Sequence, residues 1–294
     1  MSVAAILSQQ EARFVAHSAE TVWRGPQTRL DRALVATGMV DTRNRAQAVI
    51  AAGLVLVANR VQRKPSYSVT EGQLLTLQGA HRYVSRAAQK LESALTKFQI
   101  DPEDLSTLDL GASTGGFTQV LAERGAAHIL AVDVGHGQMH PSVASLANVT
   151  NIEGENARDL TRRRWQQLTA APLPQLIVGD LSFISLQLIF PVVTELLGKN
   201  PSASAVLLIK PQFEAGKQRV KDGVLRDPQA RFEAVWEVVQ AAAANGLQLT
   251  AFARSPIAGN QGNIEFLAQW VPSSAPNTEE WKTEVASVCL REES

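Results

Sequence analysis

The chain has 294 residues, 45% of them apolar, and its 28 basic side chains balance 28 acidic ones. That length predicts two domains of ordinary globular composition. The single cysteine, Cys289, excludes an intramolecular disulfide framework and a zinc site built on several thiolates, and it agrees with a reducing, cytoplasmic setting. No apolar run approaches the ~18 residues that a membrane span requires. The histidines lack metal-ligand spacing, so neither a membrane nor a metal is expected.

In chain order, residues 1–27 begin apolar at Val3–Leu7 but have no basic leader and carry Glu11 and Glu20. They read as a flexible extension, not a secretory signal. Residues 28–80 read as a small α+β module. Leu30, Leu34 and Val35 share a helix face that stops at Gly38, and Thr42 can cap a second helix running through Ala46, Val49 and Ile50 to Gly53. Leu54–Val57 and Leu74–Leu77 read as strands, with a turn at Ala58-Asn59-Arg60. Arg32, Arg43 and Arg45 fall on polar helix faces, and Arg60, Arg63 and Lys64 at the hairpin. The pattern Arg29-Leu30-Asp31-x-x-Leu34, Thr42-Arg43-x-x-Ala46 and Ile50-x-x-Gly53-x-Val55 resembles the S4 RNA-binding domain. It departs at Val57-Ala58-Asn59, where that family has Val-Asn-Gly, and the loss of the glycine predicts a different hairpin turn. From Arg24 to Lys97 twelve basic residues face four acidic ones, so this stretch is +8 and the remainder −8. Such asymmetry points to a polyanionic partner, and nucleic acid is the natural one.

Residues 81–84 read as a linker, and Ser85 can cap a helix that carries Lys90, Leu91, Leu95 and Phe98. From Ser106 strands and helices alternate, which predicts a doubly wound, Rossmann-like and mostly parallel sheet over 85–271 with an antiparallel last strand. Its organising stretch is Leu108-Asp109-Leu110-Gly111-Ala112-Ser113-Thr114-Gly115-Gly116-Phe117: a buried strand, a glycine-rich turn and a helix start. A second strand, Ile129–Asp133, ends in an acid 22 residues after Gly111, where a carboxylate can accept from both hydroxyls of a ribose. The glycines are not spaced as in a dinucleotide fingerprint, and Asp109 in the first strand disfavours a pyrophosphate. No P-loop Lys-Ser/Thr pair follows. A cationic, hydroxyl-bearing nucleoside cofactor remains, and S-adenosylmethionine matches it.

Further strands are expected at Val149–Ile152, Gln175–Ser182 and Ala205–Phe213, with a helix over Leu186–Leu197 and a long one over Arg231–Ala244. Leu247–Phe252 and Ile264–Trp270 read as an antiparallel pair, and residues 272–294 as a mobile Ser-, Pro- and Glu-rich tail. A basic loop, Lys217, Arg219 and Lys221 among glycines, follows the fifth strand. Asp180 and Lys210 stand at carboxyl ends of strands and Glu265 at the start of an antiparallel one, so all three reach the edge where the glycine turn lies. Lys90 can reach the same cleft. A lysine after five apolar strand residues is partly desolvated and can serve as a base.

This set resembles the Lys-Asp-Lys-Glu tetrad of FtsJ-like RNA 2′-O-methyltransferases. With the S4 module, the chain from Arg29 to Trp270 resembles the TlyA (hemolysin A) family. The motifs are Tyr83-Val-Ser-Arg86-x-x-x-Lys90-Leu, the glycine turn, Ala131-Val-Asp-Val-Gly135, Asn156-Ala-Arg158, Asp180-x-Ser-Phe-Ile-Ser185, Lys210-Pro-Gln-Phe-Glu-Ala-Gly216 and Ser255-Pro-Ile-x-Gly259-x-x-Gly262-Asn-x-Glu265. The resemblance implies an S-adenosylmethionine-dependent ribosomal RNA 2′-O-methyltransferase acting on cytidine. It implies Lys90, Asp180, Lys210 and Glu265 as the catalytic tetrad. It places the cofactor against Asp109, Gly111, Ser113, Thr114, Gly115, Gly116, Phe117, Asp133 and Asn156. RNA contacts are expected from Arg29, Arg32, Arg43, Arg45, Arg60, Arg63, Lys64, Arg86, Lys217, Arg219 and Lys221. One departure is Ala87-Ala88, where the family has two glycines; alanine favours helix by roughly 1 kcal/mol per site, so a stiffer junction is expected. Three rival readings are a non-catalytic RNA-binding or ribosome-assembly factor, a membrane-active haemolysin, and an S4-linked pseudouridine synthase. The glycine turn and the complete tetrad speak against the first, the lack of a membrane span or a strongly amphipathic basic helix against the second, and the glycine turn against the third.

Overall fold

The computed structural model describes residues 19–40, 42–78, 83–216 and 218–291, which fall into two units, Met1–Arg82 and Tyr83–Ser294. In the first unit, β1 (Ala19–Val22) and β2 (Thr28–Arg29) precede α1 (Leu30–Ala36) and α2 (Arg43–Ala51). Then follow β3 (Val55–Val57), β4 (Arg60–Gln62), β5 (Ser68–Val69) and β6 (Leu74–Leu77). Helical spacing puts Leu30, Ala33 and Leu34 on one face of α1 and Ala46, Val49 and Ile50 on one face of α2. All six are buried against Val55, Val57, Leu75 and Leu77 of the sheet. The antiparallel sheet runs β1-β6-β3-β4, and β2 pairs with β5.

Two expectations change here. Residues 19–22 are not part of a flexible extension: they form β1, paired along β6 from Ala19↔Leu77 to Val22↔Leu74. Residues 1–18 lie outside the described residues. The alternation in Glu20-Thr-Val is too short to announce a strand, and its partner is more than 50 residues away. The turn at Ala58-Asn59 also keeps the geometry that Asn-Gly would give. Val57 pairs with Arg60, and both loop residues have positive φ, 47° and 63°, as a two-residue I′ hairpin demands.

The arginines of this unit divide. Asp31 is fully buried, and Arg29 Nε and Nη2 and Arg43 Nε each donate to its carboxylate at 3.0 Å, with Gln47 Nε2 at 3.3 Å. The Arg29 guanidinium, then Arg43 and Gln47, hold that carboxyl far below its usual range. The donors of Arg29 and Arg43 that face Asp31 are thus committed inside the unit. Arg63 caps α2, donating to the Ala51 carbonyl at 3.2 Å. Arg32, Arg60 and Lys64 are exposed. The side chain of Arg45 lies outside the described residues.

The second unit opens with α3 (Ala87–Lys97), β7 (Ser106–Leu110), α4 (Gly116–Glu123), β8 (His128–Asp133), α5 (Pro141–Ala144) and β9 (Val149–Glu153). It continues with α6 (Arg162–Leu168), β10 (Leu176–Gly179), α7 (Phe190–Leu197), β11 (Ser204–Ile209), α8 (Pro211–Glu214) and α9 (Pro228–Ala244). It closes with β12 (Leu247–Arg254), β13 (Phe266–Pro272) and α10 (Glu279–Cys289). The seven strands order as β12-β13-β11-β10-β7-β8-β9, with β9 through β11 parallel and β13 antiparallel to β11. Side chains alternate between two buried faces. Leu108, Leu110, Ile177 and Leu207 meet α7 and α9, whereas Leu176, Val178, Val206 and Leu208 meet α3 and α4. Strand order reverses beside β7, which opens a crevice at the carboxyl ends of β7 and β10.

Several boundaries differ from expectation, among them β10, which ends at Gly179 and not at Ser182, and three further cases. β11 ends at Ile209 because Pro211 begins the one-turn helix α8, so Lys210 stands at the junction. Leu186–Leu188 is a separate 3₁₀ turn before α7. The expected mobile tail contains α10, whose Val285 and Cys289 are fully buried in the main core with Trp281 and Val288 packed on it. Arg231 Nε and Nη2 anchor its end, donating to the Cys289 carbonyl at 3.0 and 2.7 Å. The apolar spacing 281, 285, 288, 289 is helical, but the polar composition around it masks the signal.

Ala58 adopts a conformation that costs a residue with a Cβ roughly 1 kcal/mol or more. Replacing Ala58-Asn59 by Asn-Gly is therefore expected to raise the stability of the first unit by about 1 kcal/mol. Chemical denaturation followed by circular dichroism checks this; an unmoved or lowered midpoint would show that the turn holds no such strain.

Candidate active site

The crevice is built outward from β7. After Leu110 the chain turns so that Gly111 N and Ala112 N both donate to the Val132 carbonyl, at 2.9 and 3.2 Å. Ser113 passes through a positive φ of 46° and its backbone N–H reaches Asp133 Oδ2 at 2.8 Å. The other oxygen, Asp133 Oδ1, accepts from Gly135 N at 2.7 Å. Asp133 is thereby fixed at the tip of β8 beside the glycine turn and is half-exposed. Gly116 opens α4 where a side chain has no room: a Cβ would lie 2.1 Å from Ser85 Oγ.

A cavity of about 320 Å³ lies between this turn and the ends of the neighbouring strands. Gly111, Ser113, Thr114, Gly116 and Phe117 line it on the turn side. Lys90, Asp180, Lys210 and Glu265 line it as well, as does Arg86, which is exposed. Four elements deliver these charges: Lys90 from the first turn of α3, Asp180 just after β10, Lys210 just after β11, and Glu265 just before β13. Lys90 Nζ is 2.6 Å from Glu265 Oε2 and 3.6 Å from Asp180 Oδ2, and Lys210 Nζ is 2.6 Å from Asp180 Oδ1. The Lys210–Asp180 contact is an ion pair without a well-directed hydrogen bond, so Asp180 Oδ1 retains an unused acceptor. Lys90, Lys210 and Glu265 are each under a tenth exposed. Gly259 makes the arrangement possible, since a Cβ there would fall 2.0 Å from Glu265 Oε1.

Several side chains join the cluster that reasoning from the sequence did not single out. Ser182 Oγ accepts from Lys210 Nζ at 2.7 Å. Gln212 Nε2 donates to Glu265 Oε1 at 3.3 Å, and its own Oε1 is buried without a donor. Phe183 follows Ser182 of the cavity lining, has a positive φ of 63° and is 91% exposed, its ring 5.0 Å from that of Phe213. A phenylalanine immediately after a strand-end acid and serine was a legible signal, because an apolar ring in a loop between charged positions has no core to fill.

Other expected site residues fall elsewhere. Asp109 does not line the cavity: it is fully buried in β7 behind the turn, and Thr118 Oγ1 donates to its Oδ2 at 2.6 Å. Side chains alternate along a strand, so an acid two positions before the turn points into the layer beneath α4. Its Oδ1 has no partner, and burial pushes its carboxyl up to about 7. Gly115 faces Val143 and Met139, and Asp133 stands beside the turn without lining the cavity. Asn156 caps the turn after β9, its Oδ1 accepting from Arg158 N at 3.1 Å. Arg219 is paired with Glu233 at 2.7 Å, Lys221 is exposed in a tight bridge to Val224, and Lys217 lies outside the described residues. Ala87 and Ala88 form the start of α3, and Ala88 is buried in the layer with Leu91 and Phe117.

Residues 83–270 match the family model of FtsJ-like methyltransferases, and residues 28–75 match that of the S4 domain. The chain belongs to the FtsJ-like methyltransferase family. A relative from Mycobacterium tuberculosis, 16S/23S rRNA (cytidine-2′-O)-methyltransferase TlyA, is 39% identical over 81% of this chain and 87% of its own. Hemolysin A of Brachyspira hyodysenteriae is 36% identical over 83% of this chain and 99% of its own. A solved chain from Streptococcus thermophilus that carries a hemolysin name superposes with a TM-score of 0.69 at 35% identity, covering 90% of this chain and 94% of that one. Among the described residues of this FtsJ-like protein, no helix is long and apolar enough to cross a membrane.

The raised Asp109 carboxyl has a signed consequence. Between its unfolded value near 4 and about 7 the folded state holds a proton that the unfolded state has released. Stability that is complete below pH 4 is therefore lost as pH rises toward 7, at up to ~1.4 kcal/mol per pKa unit. Asp109→Asn, which mimics the neutral acid, is expected to remove this slope and to be the more stable protein at pH 8. Denaturation midpoints of both proteins from pH 5 to 8 check it; parallel profiles would refute the assignment.

Proposed function

We propose that this FtsJ-like protein transfers a methyl group from S-adenosylmethionine to the 2′-hydroxyl of a cytidine in ribosomal RNA, with its S4 module binding RNA. The observation that carries the reading is the convergence of Lys90, Asp180, Lys210 and Glu265 on one cavity that the glycine turn also lines. The substrate follows from relatives of comparable length named for cytidine 2′-O-methylation of rRNA.

The glycine turn suits the methyl donor. Gly111, Ser113 and Thr114 would line its seat, and Asp133, held beside the turn by two backbone N–H groups, would accept from its ribose hydroxyls. When bound, the donor supplies an electrophilic methyl group on a sulfonium. The remaining work belongs to the protein. Asp180 and Ser182 hold Lys210 Nζ at a fixed point, and in its neutral form that nitrogen takes the proton from O2′. Lys90 and Glu265 neutralise each other at 2.6 Å and set the charge facing Asp180. Phe183, exposed next to Ser182 of the cavity lining, would offer a stacking face for the acceptor base. Much of the rate would come from holding O2′ in line with the methyl group.

Lys210→Ala is expected to lower methylation of rRNA by about 10²-fold or more while donor affinity by calorimetry stays within about twofold. Full activity in that variant would sink the proton-transfer role. Phe183→Ala is expected to raise the KM for rRNA about tenfold, in line with the loss of one base–aromatic stack, and to leave donor affinity unchanged. An unaltered KM would rule out the stacking role.

A further inference from the structure

Phe183 is held in an unfavourable position. A side chain at positive φ costs roughly 1–2 kcal/mol, and a ring 91% exposed recovers little of that by burial. What holds the loop 180–186 is the segment directly after β11, which grips it at three points. Lys210 Nζ donates to Ser182 Oγ at 2.7 Å, and the Phe213 ring lies 5.0 Å from that of Phe183. The third point is Glu214. Its carboxylate turns inward: Oε2 accepts from Ser185 Oγ at 2.5 Å and Oε1 from Leu186 N at 2.9 Å. Among the described residues no lysine or arginine forms a salt bridge with it. Burial pushes its carboxyl above the ordinary range. A largely buried carboxylate without a cation is an expensive way to fill space. Its two hydrogen bonds both go to the far end of the loop that carries Asp180, Ser182 and Phe183, and both pass outside the tetrad.

We infer that Glu214 is a positioning residue for the acceptor nucleotide: by clamping Ser185 and Leu186 it fixes the loop that presents Phe183. This rests on the reading of Phe183 as the stacking face. The clamp acts on RNA binding and not on the methyl donor, because the donor-side residues Gly111, Ser113 and Asp133 are held by a separate set of hydrogen bonds.

The test uses the full-length protein, labelled S-adenosylmethionine and rRNA from a strain lacking the protein. Glu214→Ala is expected to raise the KM for rRNA about tenfold with donor affinity within twofold of the parent. Glu214→Gln is expected to restore most of it, since the amide oxygen can accept from Leu186 N and the amide N–H can donate to Ser185 Oγ. Ser185→Ala, which removes one of the two bonds, should fall between. If Glu214 acts through Phe183, the double variant Phe183→Ala/Glu214→Ala is no worse than Phe183→Ala alone. Additive losses, an unchanged KM in Glu214→Ala, or an equal loss of donor affinity would overturn the inference. Should Phe183→Ala alone leave the KM unmoved, the stacking reading fails by itself. The clamp is then judged by iodide quenching of a Phe183→Trp variant: greater quenching on adding Glu214→Ala upholds it, and no change overturns it.

Discussion

The second unit depends on one electrostatic arrangement, the alternation of Lys90, Glu265, Asp180 and Lys210 at the carboxyl edge of its sheet. Each of these charges loses hydration on burial, and that loss amounts to several kcal/mol per ion if nothing replaces the water. Replacement is mutual here: two ammonium groups and two carboxylates alternate at 2.6 to 3.6 Å. The cluster is therefore net neutral, and it holds together only while α3, β10, β11 and β13 are all in place. Removing one member leaves another buried without its counter-charge, which is typically worse than never having had the pair. An arrangement so demanding adds little to stability compared with apolar packing. Its value is to keep charged groups desolvated and oriented toward a cavity.

The glycine turn lines the same cavity with Gly111, Ala112, Ser113, Thr114, Gly116 and Phe117. Glycines where side chains would clash leave backbone exposed to the cavity, and N–H groups of the turn and of Gly135 hold Asp133. Asp109 supports this wall from behind, tying β7 to α4 through Thr118 while staying out of the cavity. A net-neutral cluster of charged side chains and a glycine-rich turn thus share the lining of one cavity. This crevice lies at the point where strand order reverses, which is where the sheet geometry leaves room for a ligand.

Charge is used differently in the first unit. Arg29 and Arg43 resemble free cations in the sequence, yet they converge on buried Asp31, so part of the +8 excess of Arg24–Lys97 is spent inside the fold. Lys90, counted in that same stretch, is likewise committed to the tetrad. Arg24, Arg32, Arg60 and Lys64 of this unit stay exposed, and Arg63 is exposed while it caps α2.

Fold class, strand alternation, the glycine turn and the candidate tetrad were all legible in the sequence, because period, turn chemistry and the residue at a strand's end are local properties of a chain. Glu265 could be placed with Asp180 and Lys210 because an antiparallel last strand starts where its neighbours end. Other features required the tertiary structure. β1 and α10 lie in polar stretches whose partners are distant in sequence. The inward turn of Asp109 follows from the exact bounds of β7, and one residue of shift would have reversed it. That Phe183 projects beside the cluster, braced by Glu214 from another strand's end, depends on which loops come together in space, and local patterning holds no record of that.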